Sequence, residues 1–117
     1  MRIEISTKHI TLSQEAKDKI IDKLLRLSHI VSDEHARLDL EVIHTTEHHK
    51  KGVVFEVEAR LHSRGNLLKA GCEGEAILSC VDKVEDELKR QLLKKKEKRA
   101  ANERTTRRIV REMRGKE

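Results

Sequence analysis

The chain has no proline, tryptophan or tyrosine, and Phe55 is its one phenylalanine. Its core must therefore be built from Ile, Leu, Val and Ala, which 117 residues can supply for a single domain. The same shortage excludes reading of single-stranded bases by stacking, because the flat side chains that act as platforms are missing and Phe55 is expected inside the core. Two cysteines, Cys72 and Cys80, are too few for a disulfide scaffold. Surrounded by small apolar residues, they read as buried reduced thiols. No apolar run approaches the roughly 20 residues of a membrane span, and MRIEISTKH lacks the apolar stretch of a signal peptide. A cytoplasmic protein with no membrane partner is expected.

Catalytic constellations are missing too. His44, His48 and His49 in HTTEHH are the candidates for a metal, but no cysteine or carboxylate cluster stands at a recognised ligand spacing, and the segment reads as a polar turn. GCEG, Gly71 to Gly74, precedes a helix as a phosphate loop would, yet lacks the further glycine and the Gly-Lys-Ser/Thr ending, so it reads as a strand end and helix entry. No Ser/His/Asp or Cys/His set occurs in the order of a known nucleophile motif. The expectation is a non-enzyme with no cofactor, no metal and no small-molecule substrate.

Charge is what the chain has in abundance: 40% of residues are Asp, Glu, Lys or Arg, with a net +5. From Lys89 to Glu117 there are 13 basic and 4 acidic residues, or +9, which leaves −4 for the remainder. An acidic body with a basic end is repelled from a polyanion on one side and drawn to it on the other, so it meets such a partner in a fixed orientation.

Periodicity places the elements. Ile3 and Ile5 alternate with polar neighbours in a strand over 2–7. Ser13 is a helix cap and Glu15 a favourable first-turn acid; Ala16, Ile20, Leu24, Leu27 and Val31 then form one stripe of a helix over 14–30. Leu38, Leu40 and Val42 mark a strand over 37–45. Val53, Phe55, Val57, Ala59 and Leu61 mark a third, and Leu68, Ala70 and Cys72 a fourth that ends at Gly74. SRGN between these last two is a tight turn, with Gly65 free to take positive φ. From Glu75 the period is helical again, with Ile77, Val81, Val84, Leu88 and Leu92 as the buried line. No Pro or Gly intervenes before Gly115, and the apolar period fails past Leu93, so the helix should project beyond the body.

The order βαβββα predicts an α+β, two-layer fold: a four-stranded mixed sheet, its first two strands parallel through a right-handed crossover, with two helices packed on one face. Residues 1–98 form the domain. Residues 99–117 form a basic tail, either flexible or extending the second helix, whose Ile109, Val110 and Met113 would make one amphipathic turn on a partner. Lys19, Lys23 and Arg26 lie in a row on helix one, and Lys83, Arg90 and Lys94 on helix two, with Glu87 interrupting. With the helices side by side, these rows should merge into a surface extended by Lys95 and Lys98. Several Lys or Arg contacts to phosphates give tight, salt-sensitive binding, and without stacking platforms recognition is by shape and backbone. That points to structured RNA. A general double-stranded RNA binder, and an interaction module whose tail docks on an acidic protein, are the alternatives.

The segment LKAGCEGEAILSCVDKVEDELKRQLLKKKEK, Leu68 to Lys98, resembles the ribosome hibernation-promoting factor and protein Y family: a small-residue strand leading to Glu73-Gly74, then Cys80-Val81-Asp82, Leu88, Arg90-Gln91-Leu92 and a lysine-rich end. Ile3-Glu4-Ile5, Leu12-Ser13 and Lys23-Leu24-Leu25-Arg26-Leu27 extend the likeness, so that it covers about residues 1 to 98. The resemblance implies a stress or stationary-phase factor, monomeric when free. It would bind the small ribosomal subunit at the tRNA and mRNA channel and contact ribosomal RNA through Lys23, Arg26, Arg90, Lys94 and Lys98. Ile30-Val31 stand where the family commonly has an aromatic pair, and Glu87 where it commonly has a lysine. The length leaves no room for the ribosome-pairing domain of long members, which implies a short form or a trimmed fragment.

Overall fold

In a computed structural model, which describes residues 1–45 and 54–115, β1 (Arg2–Lys8) leads to α1 (Gln14–Leu25), followed by a 3-10 turn (Arg26–His29). Then come β2 (Arg37–Thr45), β3 (Val54–Ser63), β4 (Asn66–Gly74) and α2 (Ile77–Gly115). The sheet order is β1-β2-β3-β4, with β1 parallel to β2 and the remaining pairs antiparallel. This is the expected mixed sheet with two helices packed on one face. Val53, His48 and His49 lie outside the described residues.

Alternation decides which face of the sheet is covered. Leu38, Leu40, Val42, Val57, Ala59, Leu61, Leu68 and Ala70 point to one side and are buried there under Ile20, Leu24 and Leu27 of the first helical segment and Cys80, Val81, Val84 and Leu88 of α2. The other face is open and charged, and it is mostly acidic along one band: Glu41 stands opposite Glu58, and Glu56 opposite Glu73.

Local chemistry sets the ends of the elements. Ser13 Oγ accepts the Ala16 N–H at 3.1 Å, satisfying one free donor of the first turn of α1. That helix was expected to run to residue 30. It tightens instead to 3-10 geometry after Leu25, where Ser28 Oγ donates to the Leu25 carbonyl at 2.6 Å and Leu27 is drawn into the core. The β3–β4 hairpin turns with positive φ at both central residues, Arg64 (51°) and Gly65 (74°), the pairing that matches strand twist. Arg64 is held in this uncommon conformation from outside the hairpin. Asp33 Oδ2 accepts its backbone N–H at 2.9 Å, and its guanidinium donates to Ser32 Oγ at 2.8 Å. The bond from the His35 N–H, with that from the Arg64 N–H, keeps the Asp33 carboxyl below the usual range. At Gly74 a Cβ would lie 3.1 Å from Cys80 Sγ, so the glycine lets the start of α2 close over the strand end.

Two expectations about the interior change. Phe55 has the parity of the core face but is only half-buried, tilted against the His44 ring with centroids 5.4 Å apart. Cys80 is buried but Cys72 only half so, and both thiols are free. Burial and the neighbouring Cys72 push the Cys80 thiol up to about 11.

Candidate nucleic-acid interface

α2 runs for 39 residues, and Leu92 is the last of its apolar side chains packed against the core. The remaining stretch to Gly115 is about 35 Å of helix beyond that contact, at about 1.5 Å per residue. It accounts for the elongation of a molecule that measures 71 × 30 × 19 Å.

The α1 row faces α2. Lys23 Nζ donates to Asp82 Oδ1 at 2.7 Å, and Arg26 Nη1 lies 3.9 Å from Glu85 Oε1. Lys19 pairs within its own helix with Glu15 at 3.3 Å. Glu85 is 9% exposed, and its Oε2 has no hydrogen-bond partner among the described residues. Burial pushes its carboxyl up, against the pull of Arg26.

The α2 row lies on the other flank. At about 100° per residue, Asp82, Glu85 and Lys89 fall on the side facing α1, whereas Glu87, Gln91 and Lys98 fall on the side above β4, next to Lys83, Arg90 and Lys94. The contacts agree, because Gln91 Nε2 donates to the Lys69 carbonyl of β4 at 3.0 Å. Arg90 grips Glu87 with two bonds, Nη2 to Oε1 at 2.6 Å and Nε to Oε2 at 3.1 Å, and Gln91 adds a third to Oε1 at 3.0 Å. The Arg90 and Gln91 bonds hold the Glu87 carboxyl down to about 2, and the same ion pair raises Arg90.

The eight basic residues singled out from the sequence thus fall into distinct settings. Lys19, Lys23, Arg26 and Arg90 each stand against a carboxylate. Lys83, Lys94 and Lys98 are exposed, and no carboxylate lies within ion-pair distance of them among the described residues. Lys95 is half-buried in a cleft of about 130 Å³, between the end of the 3-10 turn, the β3–β4 turn and α2, beside Arg64 and Lys96. Both rows belong to the helix layer, but Asp82, Glu85 and Asp86 form a seam of carboxylates between them. The two rows expected to merge into one surface are held apart by this seam, because α1 meets α2 on its acidic side.

Arg64 and Lys96 are basic groups at this cleft that periodicity did not single out. The hairpin carrying Arg64 is brought to α2 only by folding, whereas the lysine run 94–96 was a visible signal for Lys96. The open sheet face, by contrast, pairs most of its bases with its own acids, Arg2 with Glu4, Arg37 with Asp39 and Arg60 with Glu58, and carries the acidic band of Glu41, Glu56, Glu58 and Glu73. A ligand of dense negative charge finds unpaired lysines on the helix side and is disfavoured at the acidic band of the sheet. Among the described residues no group of three or more His, Cys, Asp or Glu could hold a metal ion, and no helix is long and apolar enough to cross a membrane.

Known proteins share this architecture. The family model described as Sigma 54 modulation protein / S30EA ribosomal protein matches residues 3–100. The chain is 31% identical over 99 residues to a ribosome hibernation promoting factor of Pseudomonas putida, covering 84% of this chain and 89% of that protein. It is 31% identical over 98 residues to one of Azotobacter vinelandii, covering 84% and 85%. Among solved structures, the Thermus thermophilus Protein Y N-terminal domain matches with a TM-score of 0.59 at 18% identity, over 79% of this chain and 96% of that one. A ribosomal subunit interface protein from Coxiella burnetii matches at 0.61 and 20%, over 82% and 98%. At those identities the two structures speak for the fold alone. A family match running from β1 into α2, together with curated relatives at 31% identity, establishes that the chain belongs to the Sigma 54 modulation protein / S30EA ribosomal protein family.

Proposed function

We propose that this chain is a ribosome-associated translation inhibitor, a short hibernation factor that binds the small ribosomal subunit at its tRNA and mRNA channel through the helix layer. The observation that carries the reading is the segregation of charge. Exposed lysines with no carboxylate within ion-pair distance among the described residues line the β4-side flank of α2, while the acidic band of the sheet, Glu41, Glu56, Glu58 and Glu73, lies on the opposite side of the molecule. Residues 1–98 act as the binding domain and ribosomal RNA is the contacted surface. Lys83, Lys94 and Lys98 meet phosphates directly. Lys23, Arg26 and Arg90 do so on exchanging a carboxylate for a phosphate, and Lys19 and Lys95 border the contact. Recognition is by backbone and shape, since the half-buried Phe55 is the sole Phe, Tyr or Trp that could stack on a base.

Co-sedimentation with purified small subunits tests this, with the tRNA sites empty or filled and at two salt concentrations. Lys83→Glu/Lys94→Glu/Lys98→Glu is the informative variant, because these side chains are exposed and its fold is expected to be intact. Binding should be lost in the variant, blocked by tRNA and steeply weakened by salt, by about 0.7–0.9 in the log–log slope per phosphate contact. Equal binding to empty and filled subunits would refute the reading. Equal affinity for a naked RNA duplex would favour the general double-stranded RNA binder instead.

A further inference from the structure

The part of α2 past the core holds a second basic element that is separate from the two rows above. Arg104, Arg107, Arg108 and Arg111 stand at i, i+3, i+4 and i+7, the spacing that brings four side chains onto one face of a helix. All four are exposed, and none has a carboxylate within ion-pair distance among the residues whose side chains are described, which leaves out Glu112. Nearer the body, the same side of α2 carries Asp86, Leu93 and Glu97, so the stripe is set apart from the rows above. It lies outside residues 3–100, the part of the chain that the family accounts for.

We propose that this arginine stripe is a second RNA-binding surface, which lays the projecting helix along the phosphates of an RNA duplex while the body is seated elsewhere. Charge complementarity carries the argument. Arginine presents a planar, permanently charged fork that pairs with phosphate oxygens through two bonds, and four such forks along about 10 Å of helix match a partner whose charges recur densely along its axis. A membrane surface fits less well. The opposite side has only Ile109, Val110 and Met113 as large apolar groups, interspersed with Asn102, Thr105 and Thr106, too little for a helix to bury its face among lipids. The choice of RNA over DNA rests on the function proposed above; the existence of the tail site does not.

The full-length chain is tested against a fluorescent RNA hairpin with a duplex stem, in parallel with a DNA hairpin, anionic vesicles and polyglutamate. The variants are Arg104→Gln/Arg107→Gln/Arg108→Gln/Arg111→Gln, which keeps helix propensity, and the same four positions changed to Lys, which keeps charge. The glutamine variant should lose about tenfold or more in RNA affinity near 0.1 M salt and flatten the log–log salt slope by about 3 to 4, while the lysine variant keeps most of the slope. Thermal unfolding should be unchanged in both, because these positions touch no core residue. Unaltered RNA affinity and slope in the glutamine variant would overturn the tail site. Tail-dependent binding that favours DNA, vesicles or polyglutamate would overturn the assignment to RNA. Subunit binding by the Lys83/Lys94/Lys98 variant reports on the proposed function separately, so each reading fails on its own measurement.

Discussion

Glu85→Leu should make the protein more stable at neutral pH. Glu85 sits between α1 and α2 with one carboxylate oxygen unpartnered among the described residues and the other 3.9 Å from an Arg26 side chain that is 68% exposed. A buried polar atom without a partner costs about 1–3 kcal/mol. An ion pair that long, with one member largely in water, returns about 0–1 kcal/mol. Leucine fills a similar volume with apolar contacts to both helices, so the net gain is about 1–2 kcal/mol, or roughly 5–10 °C in Tm for a domain of this size. The pH dependence separates this explanation from simple repacking. Because the carboxyl is raised in the folded state, its favourable, protonated condition is fully present below the usual 4.5 and is lost as pH rises through the folded value. The advantage of the variant should therefore be largest near pH 7.5 and shrink at pH 4. Urea unfolding followed by far-UV circular dichroism at both values, with unchanged m, measures it. Destabilisation at pH 7.5, or a gain just as large at pH 4, would refute the account of Glu85 as a poorly compensated buried charge.

Glu87→Gln should release Arg90 and raise small-subunit affinity several-fold at low salt. In the wild type the clamp stabilises above the usual 4.5 and is lost only as pH falls through about 2, so it is closed at every pH used for binding; equal affinities would show that Arg90 makes no contact. Leu88→Ala removes a fully buried side chain of α2 and should destabilise by about 2–5 kcal/mol in urea, and a loss below 1 kcal/mol would contradict its place in the core. Ser13→Ala deletes the N-cap of α1 and should lose about 1 kcal/mol by the same assay, whereas Ser13→Asp should retain stability.

Periodicity made most of the fold legible. Every strand announced itself by alternation and both helices by a 3.6-residue stripe, and the resulting order left one arrangement in which each apolar face is covered. Strand ends moved by a residue or two because pairing partners, rather than the strand's own residues, decide where a ladder stops; β4 begins at Asn66, where it meets Ser63 across the turn. Phe55 shows the limit of pattern reasoning, since parity assigns a face but says nothing about how completely that face is covered at each position.

The site divides in the same way. That a cationic helix leaves an acidic body, and that its basic residues recur on one side, is written in residue spacing alone and holds whatever the helix packs against. Which of those cations are available is not written there. Lys23 meets Asp82 across 59 positions of chain, Arg26 lies over Glu85, and the β3–β4 turn is pinned by Asp33 from 31 positions away. Periodicity reports which side of an element is apolar; only packing brings a charge on one element within ångströms of a charge on another, and it is at that separation, in partly dry surroundings, that a carboxylate can hold or surrender an arginine.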